Sequence, residues 1–432
     1  MDCQQREAKI RELAEAYAER LRQVWPEGDA DITEIEEIAE RVGAETSRDF
    51  TEELVRKQAE AEPLRKTACP HCAGPTHYKS RYEQEVVTAL GRVRVRRAYY
   101  YCAACQTGSC PLDRQWGLGA GNTTPTVQAR VAVLGAWVPY TRVPQVTRQI
   151  GMAWCLDVKT SELLTQRVGA ALRQSPAAPL GPAERSVAVA VDGVFLLTRR
   201  EGWKEARCAV VYEPDGDASR TPEDCTGLHK EYFGGLADRE TVLARACDRA
   251  KSRQNPGASV AALGDGAHWI WEGYARHLPE RVEILDFYHA CQHLARVAHA
   301  RHPADADAAA TWLSEQRHEL RHIGPWRLLR ELQAWEPRGK GSTAARKVRA
   351  EETGYFTRNL ERMDYPRYAR SGLPIGSGAV EGACKHLVTA RFKQAGMRWG
   401  IETAEPLIHL RAALLTNPEL DLRSYAQAGT IH

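Results

Sequence analysis

The sequence of 432 residues predicts a multidomain α+β protein. Three features predict this fold class. Apolar residues recur at helical spacing near both ends of the chain, two Cys-x-x-Cys pairs enclose a segment that alternates as a β-strand does, and short apolar strands alternate with helices from Ser186 onward. A chain of this length exceeds one ordinary hydrophobic core, so two to four domains are expected.

The first 62 residues are expected to be helical. Ile10, Leu13 and Tyr17 fall on one helical face, and a second apolar face begins at Ile32. The sequence Pro-Glu-Gly at 26–28 is expected to break the helix between them. This region carries 9 Lys and Arg against 18 Asp and Glu, and it indicates packing or dimerisation rather than chemistry.

Two later zones are basic, although the formal charge of the whole chain is only +3. Residues 63–112 carry 8 Lys and Arg against 2 Asp and Glu, and residues 338–400 carry 13 against 5. Such zones suit a polyanion-binding protein, because contacts to phosphate supply most non-specific affinity. On charge alone, ordinary solvated surfaces explain them equally well.

Four of the twelve cysteines form two closely spaced pairs. Cys69 and Cys72 are separated by 29 residues from Cys102 and Cys105. In a reducing compartment such pairs bind metal more often than they form disulfides, and Zn²⁺ takes four thiolates tetrahedrally. The spacing therefore predicts a structural zinc site, with unmetallated thiols as the alternative and Cys110 as a spare.

The segment between the cysteine pairs predicts a β-hairpin. Valines alternate with Arg92, Arg94 and Arg96, which makes one face of the strand basic. Gly91 occupies the expected turn, and glutamates lie on the opposite arm. We expect the three arginines to be available to the DNA backbone.

Residues 122–175 are expected to return to helix. Thr124-Pro125 is an N-cap and first-turn signal, and further helices are predicted at 143–150 and 160–172. Three short helices with a glycine turn suit a helix-turn-helix, but they also suit a simple bundle. The prolines of 175–182 indicate a linker.

Three carboxylates form a second constellation. Asp192 and Asp265 each follow an apolar strand and precede a glycine, which predicts a position at the rim of a sheet with room for a ligand. Glu381 follows Ser377, a residue suited to cap a helix, and falls in the first turns of that helix. Mg²⁺ prefers hard oxygen ligands, and three carboxylates that serve two ions suit phosphoryl transfer.

Taken alone, an Asp-Gly after a strand is more often a turn, and a glutamate in a first helical turn is often only a favourable charge at the helix start. The basic helix that follows favours the metal site, because a carboxylate placed among so many cations indicates a functional role. Its cations are Lys385, Arg391, Lys393 and Arg398.

The blocks around these carboxylates resemble the catalytic blocks of bacterial insertion-sequence transposases of the ISKra type, in the DDE superfamily. The matching stretches are Val-Asp-Gly at 191–193, Gly-Asp-Gly-Ala-His-Trp-Ile-Trp at 264–271 and Gly-Ser-Gly-Ala-Val-Glu-Gly at 376–382. The stretch at 286–294 is similar to the Asp-x-x-His block of DDE families with a helical insertion. With the cysteine pairs, the resemblance spans residues 67–415.

The resemblance implies a ribonuclease-H-like α/β core, which an all-helical insertion interrupts before the helix that carries Glu381. Asp192, Asp265 and Glu381 would bind two Mg²⁺ ions, for which Mn²⁺ can substitute, and would catalyse DNA cleavage and strand transfer. Asp286 and His289 would be accessory residues, although a histidine that packs at a helix start is the alternative. Insertion tryptophans can meet a flipped base, but core packing is favoured for the candidates, which are Trp312, Trp326 and Trp335.

Six segments are expected on these grounds. They are an acidic helical region (1–66), a zinc ribbon (67–112), a helix-turn-helix-like DNA-binding region (113–182), the first part of the core (183–290), the helical insertion (291–372) and the core completion with the Glu381 helix and C-terminal helices (373–432).

The expected partners are double-stranded DNA, as terminal inverted repeats and target, and at least one further copy of the chain, because two DNA ends must be held together. No apolar run approaches the ~20 residues of a membrane helix, and residues 1–5 have no signal-peptide character. We therefore expect a cytoplasmic, nucleoid-associated protein. A catalytically idle, transposase-derived DNA-binding protein and a ribonuclease-H-like DNA nuclease are the alternatives.

Overall fold

The computed structural model describes residues 3–25, 28–62, 64, 67–215, 227–236, 239–338 and 342–428. The chain forms two compact units, with residues 1–175 and 421–432 in unit 1 and residues 176–420 in unit 2. Both units contain helices and strands, so the multidomain α+β class is confirmed. The boundary after Ser175 falls at the start of the predicted linker.

Two long helices open unit 1, namely α1 (Cys3–Val24) and α2 (Ile32–Glu60). The Asp31 carboxylate caps α2 by accepting a 2.9 Å hydrogen bond from the backbone N–H of Glu34. Both predicted helices are therefore confirmed. Pro26 and Glu27, within the expected break, lie outside the described residues.

A β-hairpin follows, formed by β1 (His77–Thr88) and β2 (Gly91–Cys102), and the short β3 (Thr107–Ser109) pairs antiparallel with β2. Gly91 has a φ of +112°, a conformation that glycine adopts without steric cost. The valines of β2 are buried and pack with Ala59 of α2. The hairpin prediction is confirmed, and its apolar face forms one core of unit 1.

Four helices complete this part of unit 1. They are α3 (Pro111–Gln115), α4 (Pro125–Trp137), α5 (Val143–Gln149) and α6 (Val158–Gln174). Val127 and Val131 of α4 pack with Leu164 of α6 and with Trp154 from the connection before α6. The last three helices match the predicted helices within a few residues, and they surround a second small core.

Unit 2 is built on a mixed five-stranded sheet. Its strands are β4 (Ala188–Leu197), β5 (Trp203–Glu213), β6 (Leu228–Gly235), β7 (Val260–Gly264) and β8 (Arg281–Leu285). Their order across the sheet is β6-β5-β4-β7-β8. Strand β5 runs antiparallel to both neighbours, whereas β4, β7 and β8 are mutually parallel.

Helices connect the parallel strands and cover the sheet. Helices α7 (Arg239–Arg253) and α8 (His268–His277) precede and follow β7. After β8 come α9 (Phe287–Arg301), α10 (Ala306–His322), α11 (Trp326–Ala334), α12 (Ser342–Arg358) and α13 (Tyr365–Arg370). No described residue between α9 and α13 lies in a strand, as predicted for this stretch.

The chain then returns to the sheet through α14 (Gly378–Cys384), a π-helical turn (Lys385–Thr389), α15 (Ala390–Phe392) and α16 (Ile401–Thr416). Helix α14 packs on β4 and β5, and α16 packs along β6. Thr416 accepts a 3.0 Å hydrogen bond from the backbone N–H of Tyr232. Because β6 is an edge strand, this contact satisfies a backbone group that the sheet leaves unpaired.

The last helix, α17 (Arg423–Ala428), belongs to unit 1, although the sequence analysis groups it with the core segment 373–432. It packs on α4 and α6, and Leu422 and Ala426 are buried. A short terminal helix lies where its apolar side chains can be buried, and for α17 this place is the surface of α4 and α6 in unit 1. Within the described part of the chain, no helix of either unit combines the length and apolar character needed to cross a membrane.

Candidate functional site

The four paired cysteines converge into one cluster in unit 1. Their sulfur atoms all lie within 4.8 Å of one another, with Cys69 3.9 Å from Cys105 and Cys72 3.7 Å from Cys102. Thiolates at the corners of a zinc tetrahedron are about 3.8 Å apart, given a zinc–sulfur distance of about 2.3 Å. The cluster can therefore hold a structural metal ion such as zinc.

The electrostatics of the cluster favour a cation. Hydrogen bonds from the backbone N–H groups of His71 and Cys72 lower the pKa of the Cys69 thiol to about 6. In contrast, the hydrogen bond with Cys72, together with burial, raises the pKa of Cys105 to about 12. Four thiolates this close cannot all be ionised without a positive charge between them, and a metal ion supplies one.

The basic face of the hairpin is exposed but partly neutralised. Arg94 and Arg96 are the direct cross-strand partners of Glu85 and Glu83. Arg92 forms an ion pair with Glu85 at 3.3 Å. The three arginines reach solvent as predicted, but the same register that exposes them brings carboxylates beside them.

In unit 2, Asp192 lies within β4 rather than at its end, which corrects the predicted strand boundary. Strand β4 continues to Leu197 because β5 pairs along its whole length. On its other side, β7 pairs only as far as Ala190 and then stops at Gly264. Asp192 therefore lies just beyond the point where β7 ends, and its carboxylate is free to face a cavity at the sheet rim.

Asp265 follows the last residue of β7 in a tight turn. Its Oδ1 accepts a 2.8 Å hydrogen bond from the backbone N–H of Ala267, and Gly266 has a φ of +97°. The hydroxyl of Tyr355, from α12, donates a 2.9 Å hydrogen bond to the Asp265 carbonyl. A Cβ at Gly266 would lie 2.8 Å from the Tyr355 ring, so glycine is required here both by conformation and by space.

Glu381 lies in the first turn of α14, and Ser377 connects it to Asp286. The Ser377 hydroxyl lies 2.8 Å from Asp286 Oδ2 and 3.0 Å from Glu381 Oε1. Ser377 occupies the N-cap position, but its hydroxyl does not cap the helix, because it bonds these two carboxylates instead. Asp286 also accepts from the backbone N–H groups of Tyr288, His289 and Ser377.

These carboxylates line one cavity of about 130 Å³. Its remaining polar lining includes His289 and Gln292 of α9, together with Ser377. Across the part of the chain that the structure describes, only the cysteine cluster brings at least three metal-ligating atoms within 4.8 Å of one another. The carboxylates thus surround the cavity at a wider spacing and do not meet at one point.

Mutual repulsion is visible at Asp192. Burial raises the pKa of its carboxyl, and the charges of Asp265, Glu381 and Asp286 raise it further, while the Gly193 amide opposes them. The pKa of Asp286 is also raised by burial, against the hydrogen bonds that it accepts. A cation in the cavity would relieve both effects.

Several neighbours of the pocket carry no sequence signal that marks them. Cys384 Sγ lies 3.9 Å from Asp192 Oδ2, and Cys208 is the direct cross-strand partner of Asp192. The hydrogen bond with Cys208 and burial raise the pKa of Cys384, so this thiol stays neutral. Tyr355 is equally hidden in the sequence, because only the packing of α12 brings it to Asp265.

The predicted cations after Glu381 divide into two groups. Lys385, Lys393 and Arg398 are exposed. Arg391 is buried, and its guanidinium lies 5.0 Å from the centre of the Trp399 ring. Its position beneath the surface argues against the predicted contact with DNA, because stacking on the indole holds the guanidinium away from solvent.

The three insertion tryptophans also differ. Trp312 is buried and donates a 2.9 Å hydrogen bond to Glu331, so core packing is the better description. Trp335 is half-buried with Arg301 over its ring at 5.9 Å. Trp326 is 65% exposed at the start of α11 and is free to contact a partner.

Comparisons with known proteins add no family assignment. No protein-family model matches the chain, and no curated protein is similar to it at a significant level.

Proposed function

We propose that this protein is a DDE-type DNA transposase related to the ISKra insertion-sequence enzymes. The observation that carries the proposal is the common cavity of Asp192, Asp265 and Glu381, which come from two neighbouring strands and from a helix more than a hundred residues further along the chain. Burial raises the pKa of Asp192, and the charges of Asp265 and Glu381 raise it further, so bringing the three acidic residues together costs electrostatic energy. A site that binds cations accounts for that cost.

The architecture of unit 2 supports the same proposal. The sheet order β6-β5-β4-β7-β8, with β5 antiparallel, is consistent with the ribonuclease-H-like core that the resemblance implies. The run of helices from α9 to α13 separates β8 from the Glu381 helix, as expected for a helical insertion. Tyr355 of α12 then links that insertion to the Asp265 turn.

The donor set of the pocket suits magnesium. Carboxylate oxygens are hard ligands, and Mg²⁺ usually keeps several waters and takes few protein donors, so widely spaced carboxylates around about 130 Å³ fit it. When bound, a pair of divalent ions would stabilise the attacking and leaving oxygens of a phosphodiester. Asp192, Asp265 and Glu381 would hold them, and Asp286 would position the start of α14 through Ser377.

The DNA contacts are assigned to both units. We propose that the zinc-ribbon hairpin and the helices α4 to α6 bind the terminal repeats, and that Lys385, Lys393 and Arg398 bind DNA beside the pocket. Two DNA ends require two active sites, so a homodimer or larger assembly on DNA is part of the proposal. Such an enzyme would work in association with the nucleoid.

Substitution of the pocket carboxylates tests the proposal. We expect Asp192→Asn, Asp265→Asn and Glu381→Gln each to reduce Mg²⁺-dependent cleavage of DNA carrying the inverted repeats that flank the gene to background, with unchanged binding to that DNA. Asp248→Asn, an exposed carboxylate of α7 that pairs with Lys251, is the matched control and should cleave normally.

The products distinguish the alternatives. Strand-transfer products indicate a transposase, nicks without joining indicate a nuclease, and binding without either indicates a non-catalytic DNA-binding protein. Full cleavage by any of the three pocket variants would remove the assignment of the site.

A further inference from the structure

An exposed aromatic surface lies on the sheet face opposite to Asp192. Phe195 follows Asp192 by three residues on β4, so the two side chains point to opposite faces. Phe195 is 52% exposed and Trp203 of β5 is 60% exposed. Because Phe195 pairs with Glu205 and Leu197 pairs with Trp203, the two rings are diagonal neighbours on one face.

A third aromatic ring extends this surface toward the Asp265 turn. Trp269 stands four residues after Asp265, in the first turn of α8. Its ring lies 4.7 Å from the guanidinium of Arg207 and 5.5 Å from that of Arg239. The indole is half-buried and held in place by these two cations, so it forms the border of the surface.

Gly193 makes the connection between these rings possible. Arg207 pairs with Glu205 on the same strand, and a Cβ at Gly193 would lie 2.1 Å from Glu205 Oε1 and 2.7 Å from Arg207 Nη1. A larger residue would displace the ends of these two side chains. Glu205 is the cross-strand partner of Phe195 and the Arg207 guanidinium lies over Trp269, so the ion pair connects the two rings. We call Phe195, Trp203 and Trp269 the aromatic surface.

The charges around the aromatic surface are mainly positive. The end of the β4–β5 hairpin exposes Arg199, Arg200 and Lys204 against the single carboxylate of Glu201. The carboxylate of Glu205 is neutralised by Arg207. Exposed rings bordered by cations match an unpaired nucleotide strand, in which bases offer π-faces and phosphates offer negative charge.

The geometry points to a binding surface for unpaired nucleotides of DNA on the aromatic surface, three residues along β4 from Asp192 and on the opposite face of the sheet. This inference rests on the proposed function, because it assumes that DNA is the substrate. Duplex DNA does not fit equally well, since its base faces are hidden in the stack. The strand held here would be one that has separated near the cleaved phosphodiester.

Binding of full-length protein to single-stranded DNA tests the inference. The probes are a labelled oligothymidine and an abasic oligonucleotide of equal length, measured by fluorescence anisotropy without added Mg²⁺ or Mn²⁺. We expect wild type to prefer the oligothymidine, and the double variant Phe195→Ala/Trp203→Ala to bind it about tenfold more weakly or worse, since each stacked base contributes that order of affinity. Binding of the abasic probe should not change.

Two further variants distinguish a loss of base stacking from a general loss of binding or of the fold. Trp25→Ala removes a similarly exposed ring just after α1, outside the aromatic surface, and should bind as wild type, and Trp203→Phe should retain most of the affinity because it keeps a ring. Both altered side chains of the double variant are exposed, and an unchanged thermal unfolding curve would verify the fold.

The inference is wrong if wild type binds neither probe, if it binds both equally, or if the double variant binds oligothymidine like wild type. It is also wrong if the double substitution abolishes self-association in sedimentation velocity while DNA binding is unchanged, because the surface would then join two copies of the chain. The proposed function fails separately, when wild type shows base-dependent binding but no Mg²⁺-dependent cleavage.

Discussion

Asp286 illustrates how one buried side chain organises the carboxylate pocket. It receives hydrogen bonds from three backbone N–H groups and from the Ser377 hydroxyl, so it joins the end of β8 to the start of α14. A carboxylate that accepts so many bonds is a structural anchor, and its loss would leave several donors unpaired. The position of Glu381 therefore depends on residues that bind no metal themselves.

Removal of the Ser377 hydroxyl should loosen Glu381. We expect Ser377→Ala to weaken Mn²⁺ binding by about tenfold, the low end of the effect of losing a residue that orients a metal ligand. Isothermal titration calorimetry with Mn²⁺ alone measures this without DNA. Ser377→Thr keeps the hydroxyl and should restore the affinity; equal affinities for wild type and Ser377→Ala would refute the positioning role.

Asp192 should destabilise the metal-free fold near neutral pH. The pKa of Asp192 is higher in the folded state than in the unfolded state, so the folded state binds the proton more tightly. Its contribution to the free energy of unfolding therefore falls as the pH rises from the unfolded pKa to the folded pKa. We expect Asp192→Asn to melt about 2 °C or more above wild type at neutral pH without added Mg²⁺ or Mn²⁺, since each 1 kcal/mol corresponds to about 2–4 °C in a unit of this size.

The difference in melting temperature should shrink in acid, where Asp192 is protonated in both states. Added Mn²⁺ should reverse the order of the two proteins by stabilising wild type alone. A variant that melts below wild type at neutral pH without added divalent metal would contradict the prediction, and differential scanning calorimetry across pH gives the comparison.

At the scale of elements, the hairpin and its cysteine cluster depend on each other. Much of β1 is exposed, whereas the valines of β2 pack on α2. Residues 77–80 of β1, at the end of the hairpin beside the cysteine cluster, are exposed. A metal cross-link at the cluster would therefore constrain this end where packing does not. The cross-strand glutamates also reduce the positive potential of the arginine face, so the proposed contact of the hairpin with DNA would be weaker than its arginines alone suggest.

Loss of one cluster cysteine should release the metal and unfold the hairpin. Structural zinc contributes on the order of 10 kcal/mol to small metal-dependent folds, comparable to the whole stability of a domain. We expect Cys102→Ser to abolish the bound zinc and to remove hydrogen-exchange protection from β1 and β2. Cys110→Ser, outside the cluster, should keep both; full zinc content in Cys102→Ser, by elemental analysis, would exclude the site.

At the scale of the whole molecule, the chain leaves unit 1, forms unit 2 and returns. Unit 2 is continuous from residue 176 to residue 420, and the terminal α17 packs back on α4 and α6. Unit 1 is therefore completed only when the C-terminal segment has been made. The stability of unit 1 therefore depends on segments from both ends of the chain.

A substitution near the C-terminus should consequently destabilise the N-terminal unit. Leu422 is 2% exposed, and replacing a buried leucine by alanine costs about 2–5 kcal/mol. We expect Leu422→Ala to lower hydrogen-exchange protection in α4 and α6 while β4 and β7 keep theirs. The exposed Leu163→Ala is a control on α6 itself; reduced protection in β4 and β7 alone would contradict the prediction.

The elements that sequence reasoning predicts well are those with local periodicity. The alternation of valine and arginine defines β2, the cysteine spacing defines the cluster, and the apolar run before Asp265 defines β7. Each follows from a repeat of two or 3.6 residues or from a fixed short spacing. The placement of Asp192 at a strand end was wrong, because pairing with β5 continues past it to Leu197.

What the sequence alone determined about this protein is its α+β class, the hairpin between two cysteine pairs and the identity of the acidic residues worth following. Only the tertiary structure decided that Asp192, Asp265 and Glu381 line one cavity, that Arg391 is buried against Trp399, and that α17 joins unit 1. The reason is physical: periodicity is a property of neighbours in the chain, whereas burial and convergence depend on packing between distant segments, whose free energy no local pattern records.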